Sequence, residues 1–231
     1  MIATFVNAAA VVAGGLIGLL AKKGLPERIS KGIMAAIGLM LICSGVKGYL
    51  DGQSSIVAVL SLALGTGLGE LLRLEERLNR LGERIGARFS RDGRSRNGGS
   101  RVGEGLVTAT LLFCVGAMAV LGSLQSGLAG DHTTLYTKSL MDFISAILLA
   151  STYGIGVALS AVGVLLYQGA LTLLSGLLAP VMTEAAIAEL SAVGSIVLVG
   201  LGLNLTGVAK LRVMNMVPAI FIAIALAQVI R

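Results

Sequence analysis

The sequence predicts an all-α protein, a polytopic membrane helix bundle of about eight spans. Its mean hydropathy is +0.91, 55% of its 231 residues are hydrophobic, and only 13% are charged. A soluble domain of this length could not cover so much apolar surface with so few charges. In a bilayer that surface can face lipid, and the 32 glycines let helices approach closely. Composition alone therefore predicts the fold class.

Eight segments fit the requirement for a membrane span, which is about 20 mainly apolar residues. In chain order they are Ile2–Ala21, Lys31–Tyr49, Ser55–Leu72, Gly103–Gln125, Ser139–Tyr153, Gly156–Leu178, Leu190–Val208 and Met214–Ile230. The fifth is the shortest and contains Asp142, so it fits either a full crossing or a half-helix. The chain thus divides into a three-span unit (1–72), a polar segment (73–101) and a five-span unit (102–231).

Charges in the loops predict one orientation for the eight spans. The segment Arg73–Arg101 contains nine arginines, and the positive-inside rule places such a segment in the cytoplasm. Alternating crossings then put the other basic loops inside, and the acidic stretches around Asp51, Asp131 and Glu184–Glu189 outside. We therefore expect a multi-pass membrane protein with both termini on the outer side.

The polar segment begins with an amphipathic pattern over Leu71–Phe89. Leucine and isoleucine recur there at helical spacing, arginines occupy the other faces, and Arg91–Arg101 has no apolar periodicity. This pattern is typical of a helix on the inner leaflet with its arginines near anionic headgroups, followed by a flexible linker. An Arg-rich run can also bind nucleic acid, but membrane orientation explains it better here. The predicted partner is the lipid bilayer and not a nucleic acid.

A short motif occurs twice, 162 residues apart, in the second and seventh spans. Gly38, Leu39, Leu41, Ser44, Gly45 and Val46 match Gly200, Leu201, Leu203, Thr206, Gly207 and Val208. The predicted topology sends these two spans in opposite directions. Many transporters are built from inverted repeats, with their site near the bilayer midplane. We therefore predict an inverted-topology repeat that relates spans one to three to spans six to eight.

Span five is the span richest in polar residues. Lys138 and Asp142 are four residues apart and share a helix face, which Ser139 and Ser145 border. A carboxylate with neighbouring hydroxyls is a ligand set for a hard cation such as Na⁺, or a proton carrier. Asp142 is therefore the candidate metal-ion ligand, with Ser145 beside it. The alternative is that Asp142 only pairs with Lys138 and fixes the depth of the helix.

Amide and hydroxyl side chains in other spans are further candidate ligands. Asn7 lies in span one, Gln168 in span six, and Asn204 within the second copy of the motif. Ser44 and Thr206 are equivalent in the two copies, so their hydroxyls would converge if the two helices cross there. Interhelical hydrogen bonds and small-residue packing are the alternative roles of these five residues.

The sequence shows no enzyme signature and predicts no cofactor. The single histidine, His132, has no second His or Cys nearby to form a metal site, and the two cysteines form no CxxC pair. No Gly-rich phosphate loop follows a predicted strand, which argues against ATP-driven transport by this chain.

Several stretches are together more specific than any one of them. They are VNAAAVVAGGLIG, GTGLGE, CVGAMAVLGSLQSGLAGD, KSLMDFISAILLAS, YQGALTLL and GLGLNLTGVAKLRVMNMVPA. Over nearly the whole chain, this combination resembles the YdfK/YqgA-type family of uncharacterised bacterial inner-membrane proteins. The resemblance implies a multi-pass protein of the inner membrane and a sodium channel or pump. It implies no particular binding residues.

We therefore predict a membrane transporter or channel for a small ion or solute, coupled to a cation (Na⁺ or H⁺) through Asp142. The alternative is a non-transporting scaffold or regulator that uses the Arg-rich helix to bind lipid or a protein. Convergence of the polar span residues on one cavity would favour transport. Their dispersion into single interhelical hydrogen bonds would favour the scaffold. A homo-oligomer is compatible with either function.

Overall fold

The computed structural model describes residues 1–22, 26–78, 80, 84, 98–115 and 117–230. Over these residues the chain forms helices and no strand, which confirms the predicted all-α class. The helices are α1 (Ile2–Lys22), α2 (Glu27–Leu50), α3 (Ser55–Leu72), α4 (Gly98–Cys114), α5 (Ala117–Leu128), α6 (Thr133–Tyr153), α7 (Ile155–Leu173), α8 (Ser175–Leu178), α9 (Glu184–Leu205) and α10 (Pro218–Val229), with a 3-10 turn at Val213–Met216.

Among the described residues, five helices are long and apolar enough to cross a membrane: α1, α2, α3, α7 and α9. Helices α4 and α5 together make a sixth if they form one bent span. Polar side chains lower the hydropathy of the 21-residue α6, and α10 has only 12 residues. The protein is thus a helical membrane protein with several apolar helices. Eight crossings remain a prediction.

The fourth and fifth predicted spans differ from the structure. The fourth is not one straight helix, because α4 and α5 meet at an angle of 60° between Cys114 and Met118. The fifth is not a half-helix, because α6 begins at Thr133, six residues before the predicted start. The backbone N–H of Thr133 donates to Asp131 Oδ1 at 2.9 Å and so has a partner at the helix start. A hydropathy window does not detect such a polar first turn.

The last three predicted spans also have different bounds. The sixth is interrupted at Leu174, which separates α7 from the short α8. The acidic stretch predicted to be an outer loop is the start of α9, where the Thr183 side chain accepts a hydrogen bond from the backbone N–H of Ala186. The eighth begins with the 3-10 turn, and Pro218 occupies the first turn of α10, where its missing N–H costs no hydrogen bond.

Glycines bring α1 into close contact with α6. A Cβ on Gly14 would overlap the carbonyl oxygen of Phe143, and a Cβ on Gly18 would overlap that of Ile147. From the first contact to the second, the residue number rises by four on both helices, so α1 and α6 run parallel. This close approach places the polar side chains of α1 beside those of α6.

Two other helix pairs cross in opposite directions. A Cβ on Gly38 of α2 would lie 2.8 Å from the carbonyl oxygen of Gly202 in α9, and a Cβ on Gly45 would lie 2.6 Å from that of Ser195. The residue numbers rise on α2 as they fall on α9, so the two copies of the motif belong to antiparallel helices. Helix α3 packs in the same antiparallel way on α10.

The predicted amphipathic helix Leu71–Phe89 and the linker Arg91–Arg101 lie largely outside the described residues. Within this segment, residues 74–78 are helical and are separated from α3 by Arg73, which has a left-handed backbone conformation. The Arg-rich helix on which the scaffold alternative depends stays a prediction.

Candidate ion or solute site

A buried ion pair on α6 is the centre of the candidate site. Lys138 Nζ donates to both carboxylate oxygens of Asp142, at 2.8 Å to Oδ1 and 2.7 Å to Oδ2. The two residues are only 6% and 5% exposed. Asp142 is nine residues from the start of α6, which places it about 14 Å along a helix of about 32 Å. The Lys138–Asp142 contact therefore lies near the middle of the helix and not in its first turn.

Amide side chains from two other helices extend this pair into a network. Asn7 Nδ2 on α1 donates to Asp142 Oδ2 at 3.0 Å and to Gln168 Oε1 on α7 at 3.0 Å. Both amides are fully buried. Three predicted site residues, 135 and 161 residues apart in sequence, thus form one hydrogen-bonded group.

The Asp142 carboxylate determines which amide atoms of Asn7 and Gln168 face each other. One polar atom of each amide is left without a hydrogen-bond partner among the described residues. Exchanging the oxygen and nitrogen of Asn7 would place its carbonyl oxygen against Asp142, where two acceptors would face each other. In the orientation observed, Asn7 Oδ1 and Gln168 Nε2 have no hydrogen-bond partner among the described residues. The network thus contains one buried acceptor and one buried donor that a bound water molecule would satisfy.

The ion pair forms part of the wall of a large cavity. The cavity has a volume of about 810 Å³ and is lined by residues of α2, α4, α5, α6 and α9. Lys138 and Asp142 are its buried charged residues, whereas Lys47, Asp51 and Glu184 line it at exposed positions near helix ends. Its size lies within the range of small-molecule sites in proteins.

A second cavity lies towards the other end of α9. It has a volume of about 440 Å³, and its lining includes Glu104, Asn204 and Lys210. Between the two cavities is a buried apolar cluster, which we call the apolar layer, formed by Leu41, Val107, Leu111, Val197, Leu198, Leu201 and Val213. Leu198 faces the larger cavity and Leu201 the smaller one, so the layer separates them.

The other predicted site residues are not part of the polar network. Ser145 is half-buried on α6, one turn after Asp142. Ser44 lines the larger cavity. Asn204 instead makes two hydrogen bonds to the loop after α9. Its Nδ2 donates to the Leu211 carbonyl at 2.8 Å, and its Oδ1 accepts from the Leu211 N–H at 2.7 Å.

The expected convergence of Ser44 and Thr206 is wrong. Thr206 is the C-cap of α9, and its methyl group lies 2.8 Å from the position that a Cβ on Gly38 would occupy. Ser44 is six residues further along α2, or about 9 Å. In an antiparallel crossing, equivalent positions of the two copies move apart on either side of the crossing point, so the two hydroxyls face different parts of the molecule.

Sequence reasoning missed a polar clamp at the end of α3. The backbone N–H of Glu75 donates to Asn215 Oδ1 at 2.9 Å, and Glu75 Oε2 accepts from the Met214 N–H at 3.2 Å. Burial raises the pKa of Glu75, which also lines the smaller cavity. These residues are 139 and 140 positions apart, and no local pattern indicates their contact.

Comparisons with known proteins agree with the predicted resemblance. A model of the family "Protein of unknown function (DUF554)" matches residues 2–228. The uncharacterized membrane protein YdfK of Bacillus subtilis (strain 168) is 33% identical over 226 residues, which cover 96% of this chain and 93% of YdfK. The uncharacterized protein YqgA of Escherichia coli (strain K12) is 31% identical over 227 residues, which cover 98% of this chain and 96% of YqgA. No solved structure matches the chain. Since the matches extend over nearly its whole length, the chain belongs to the DUF554 family.

Proposed function

We propose that this protein is a multi-pass transporter or channel of the bacterial inner membrane, which moves a small ion or solute and is coupled to a cation through Asp142. The observation that carries the proposal is the buried Lys138–Asp142 pair in the wall of the larger cavity. An ionisable residue at this depth is costly unless it is paired or solvated, and such residues mark ion and proton pathways.

The arrangement of the cavities supports transport over a scaffold. Polar residues of α1, α6 and α7 converge on the ion pair, and the larger cavity reaches it. The smaller cavity lies beyond the apolar layer, towards the other end of α9. A solute path that is closed on one side has this form, with two vestibules and one barrier between them. The bend between α4 and α5 borders the larger cavity through Val115 and Met118.

Lys138 acts as a built-in competitor for the coupling cation. Its ammonium group occupies both oxygens of Asp142, so Na⁺ or a proton that arrives from the cavity must displace it. Exchange of one positive charge for another leaves the charge on the carboxylate balanced. The displaced ammonium group remains beside the cavity, where it can be hydrated or bind an anionic group. Cation binding and a rearrangement of α6 are coupled in this way.

Helix packing supports the proposed inverted repeat and eight crossings. Under an offset of 162 residues, α1 corresponds to α7, α2 to α9 and α3 to α10, and each helix packs against its counterpart. Gly38 of α2 contacts Gly202 of α9, which is two residues from Gly200, the repeat equivalent of Gly38, so a two-fold axis would pass close to this crossing. The full-length α6 and the bent α4–α5 pair supply the two remaining crossings.

A flux assay in proteoliposomes tests the proposal. Uptake would be screened with imposed Na⁺ and H⁺ gradients, Mn²⁺ and small organic solutes, for the wild-type protein, Asp142→Asn and the control Asp131→Asn. Asp131 is exposed and lies outside both cavities. We expect cation-dependent flux in the wild type and the control, and a loss of about tenfold or more in Asp142→Asn, since a charged ligand is removed.

Two results would count against transport through this site. One is a wild-type protein, reconstituted in folded form, that gives no flux above empty liposomes with any of these ions or solutes. The other is a folded Asp142→Asn protein whose flux keeps the ion dependence of the wild type.

A further inference from the structure

A second buried carboxylate, on α9, caps the start of α3. Glu189 is only 2% exposed. Its Oε1 accepts hydrogen bonds from the backbone N–H groups of Gln53, at 2.8 Å, and Ser54, at 2.6 Å. Ser54 is the N-cap residue of α3, so the carboxylate lies at the positive end of that helix. One oxygen of Glu189 therefore has a clear structural role.

The second carboxylate oxygen of Glu189 has no such structural role. Glu189 Oε2 is buried and has no hydrogen-bond partner among the described residues. A charged acceptor left in this state is costly, so a ligand or water is expected beside it. Glu189 also lines a cavity of about 110 Å³, which is enough for roughly three water molecules or an ion with part of its hydration shell.

The polar side chains around this cavity carry oxygen and no other ligand atom. They are Glu189, Ser54, Ser55 and Tyr49, and the rest of the lining is glycine or aliphatic. The Tyr49 hydroxyl donates to Ser55 Oγ at 3.4 Å, which leaves lone pairs on both oxygens. Oxygen-only sites select hard cations, and sites for divalent ions usually combine several carboxylates.

We propose that this cavity binds a monovalent metal cation, with Glu189 Oε2 as the charged ligand and the hydroxyls of Ser54, Ser55 and Tyr49 as neutral ligands. A single carboxylate balances a single positive charge. The bound cation would connect α9, the end of α2 and the start of α3, and would stabilise their packing. This site uses none of the residues of the Asp142 network, so it does not rest on the proposed transport function.

Thermal unfolding in detergent, followed by circular dichroism at 222 nm, tests this site. NaCl, KCl and LiCl would each replace choline chloride at constant ionic strength. We expect at least one of these salts to raise the melting temperature, by about 3–6 °C at ten times its dissociation constant. Glu189→Gln keeps one oxygen for the two backbone N–H groups but replaces Oε2 by an amide nitrogen. It should abolish the salt-dependent shift.

Two further variants make the result specific. Glu76→Gln is the matched control, because Glu76 is partly exposed and pairs with Arg80 at 3.6 Å. It should keep the full shift. Tyr49→Phe removes one neutral ligand and leaves the bonds of Glu189 to α3 intact, so the half-saturating salt concentration should rise about tenfold. This variant also provides a test if Glu189→Gln does not fold.

Three outcomes would overturn the proposal. The first is a wild-type melting temperature that is the same in all metal salts and in choline. The second is an unchanged salt response in Glu189→Gln or, if that variant does not fold, in Tyr49→Phe. The third is a shift that Asp142→Asn abolishes and Glu189→Gln keeps, which would place the cation at Asp142 instead.

Discussion

Replacement of Asp142 by asparagine removes one partner of a buried ion pair and leaves the charge of Lys138 uncompensated. The two side chains are only 7% and 8% exposed, so water from the cavity replaces the lost partner only in part. The amide oxygen can take the place of Oδ2, which accepts from both Asn7 and Lys138. The amide nitrogen then takes the place of Oδ1 and faces the Lys138 ammonium group as a second donor.

The expected loss of stability is large. Removal of one partner of a buried ion pair costs roughly 3–5 kcal/mol. For a protein of this length, each kcal/mol lowers the melting temperature by about 2–4 °C, so Asp142→Asn should melt roughly 6–20 °C below the wild type. The double variant Lys138→Gln/Asp142→Asn has no unpaired charge, and its two amides can bond to each other at four residues' spacing. It should regain most of the lost stability.

The double variant separates the role of the charge in folding from its role in transport. Melting temperatures in detergent would be measured together with cation-dependent flux in proteoliposomes, and Asp131→Asn would serve as the control. We expect the double variant to be nearly as stable as the wild type. Its cation-dependent flux should be lower by about tenfold or more, because residue 142 no longer carries a negative charge. Two results would contradict these roles of Asp142: a double variant that transports with the ion dependence of the wild type, or an Asp142→Asn protein that is as stable as the wild type.

Other parts of the structure give three further predictions. Gly69→Ala should lower the melting temperature by several degrees, because its Cβ would overlap the backbone of Asn215, whereas the control Gly67→Ala has no atom within 4 Å and should be neutral or stabilising. Asn204→Ala removes both hydrogen bonds to the loop after α9 and should cost about 1–3 kcal/mol, measured by thermal unfolding. Burial raises the pKa of Glu75, so its folded form binds a proton more tightly than its unfolded form. Its contribution to stability is therefore present at low pH and is lost as the pH rises from 4.5 through the raised pKa; Glu75→Gln should flatten the dependence of the melting temperature on pH over this range, and an unchanged slope would contradict this assignment.

Some site residues were within reach of the sequence. Lys138 and Asp142 are one helical turn apart, so their pairing is a local property of α6. The cost of placing polar groups in apolar spans also singled out Asn7 and Gln168 as residues that need partners. Which partners they have depends on the close approach of α1 to α6, which Gly14 and Gly18 allow.

Other contacts have no local signature. Glu189 bonds to backbone groups 135 and 136 residues away, and the sequence around it reads only as an acidic stretch near a span. The register of α2 on α9 depends on where glycines permit backbone contact, and it decides that Ser44 and Thr206 do not meet. A repeated motif predicts that two helices are related, but it does not predict the level at which they cross.

The all-helical membrane class and the approximate positions of the helices could be predicted without a structure. Both follow from the amount and spacing of apolar residues, which act on each segment independently. Three features became apparent only in the folded chain: the bend between α4 and α5, the two cavities with their apolar layer, and the hydrogen-bonded network of Asn7, Asp142 and Gln168. These features arise from contacts between helices that are far apart in the chain. Such contacts depend on shape and register at the helix surfaces, and composition and periodicity do not encode these separately for each segment.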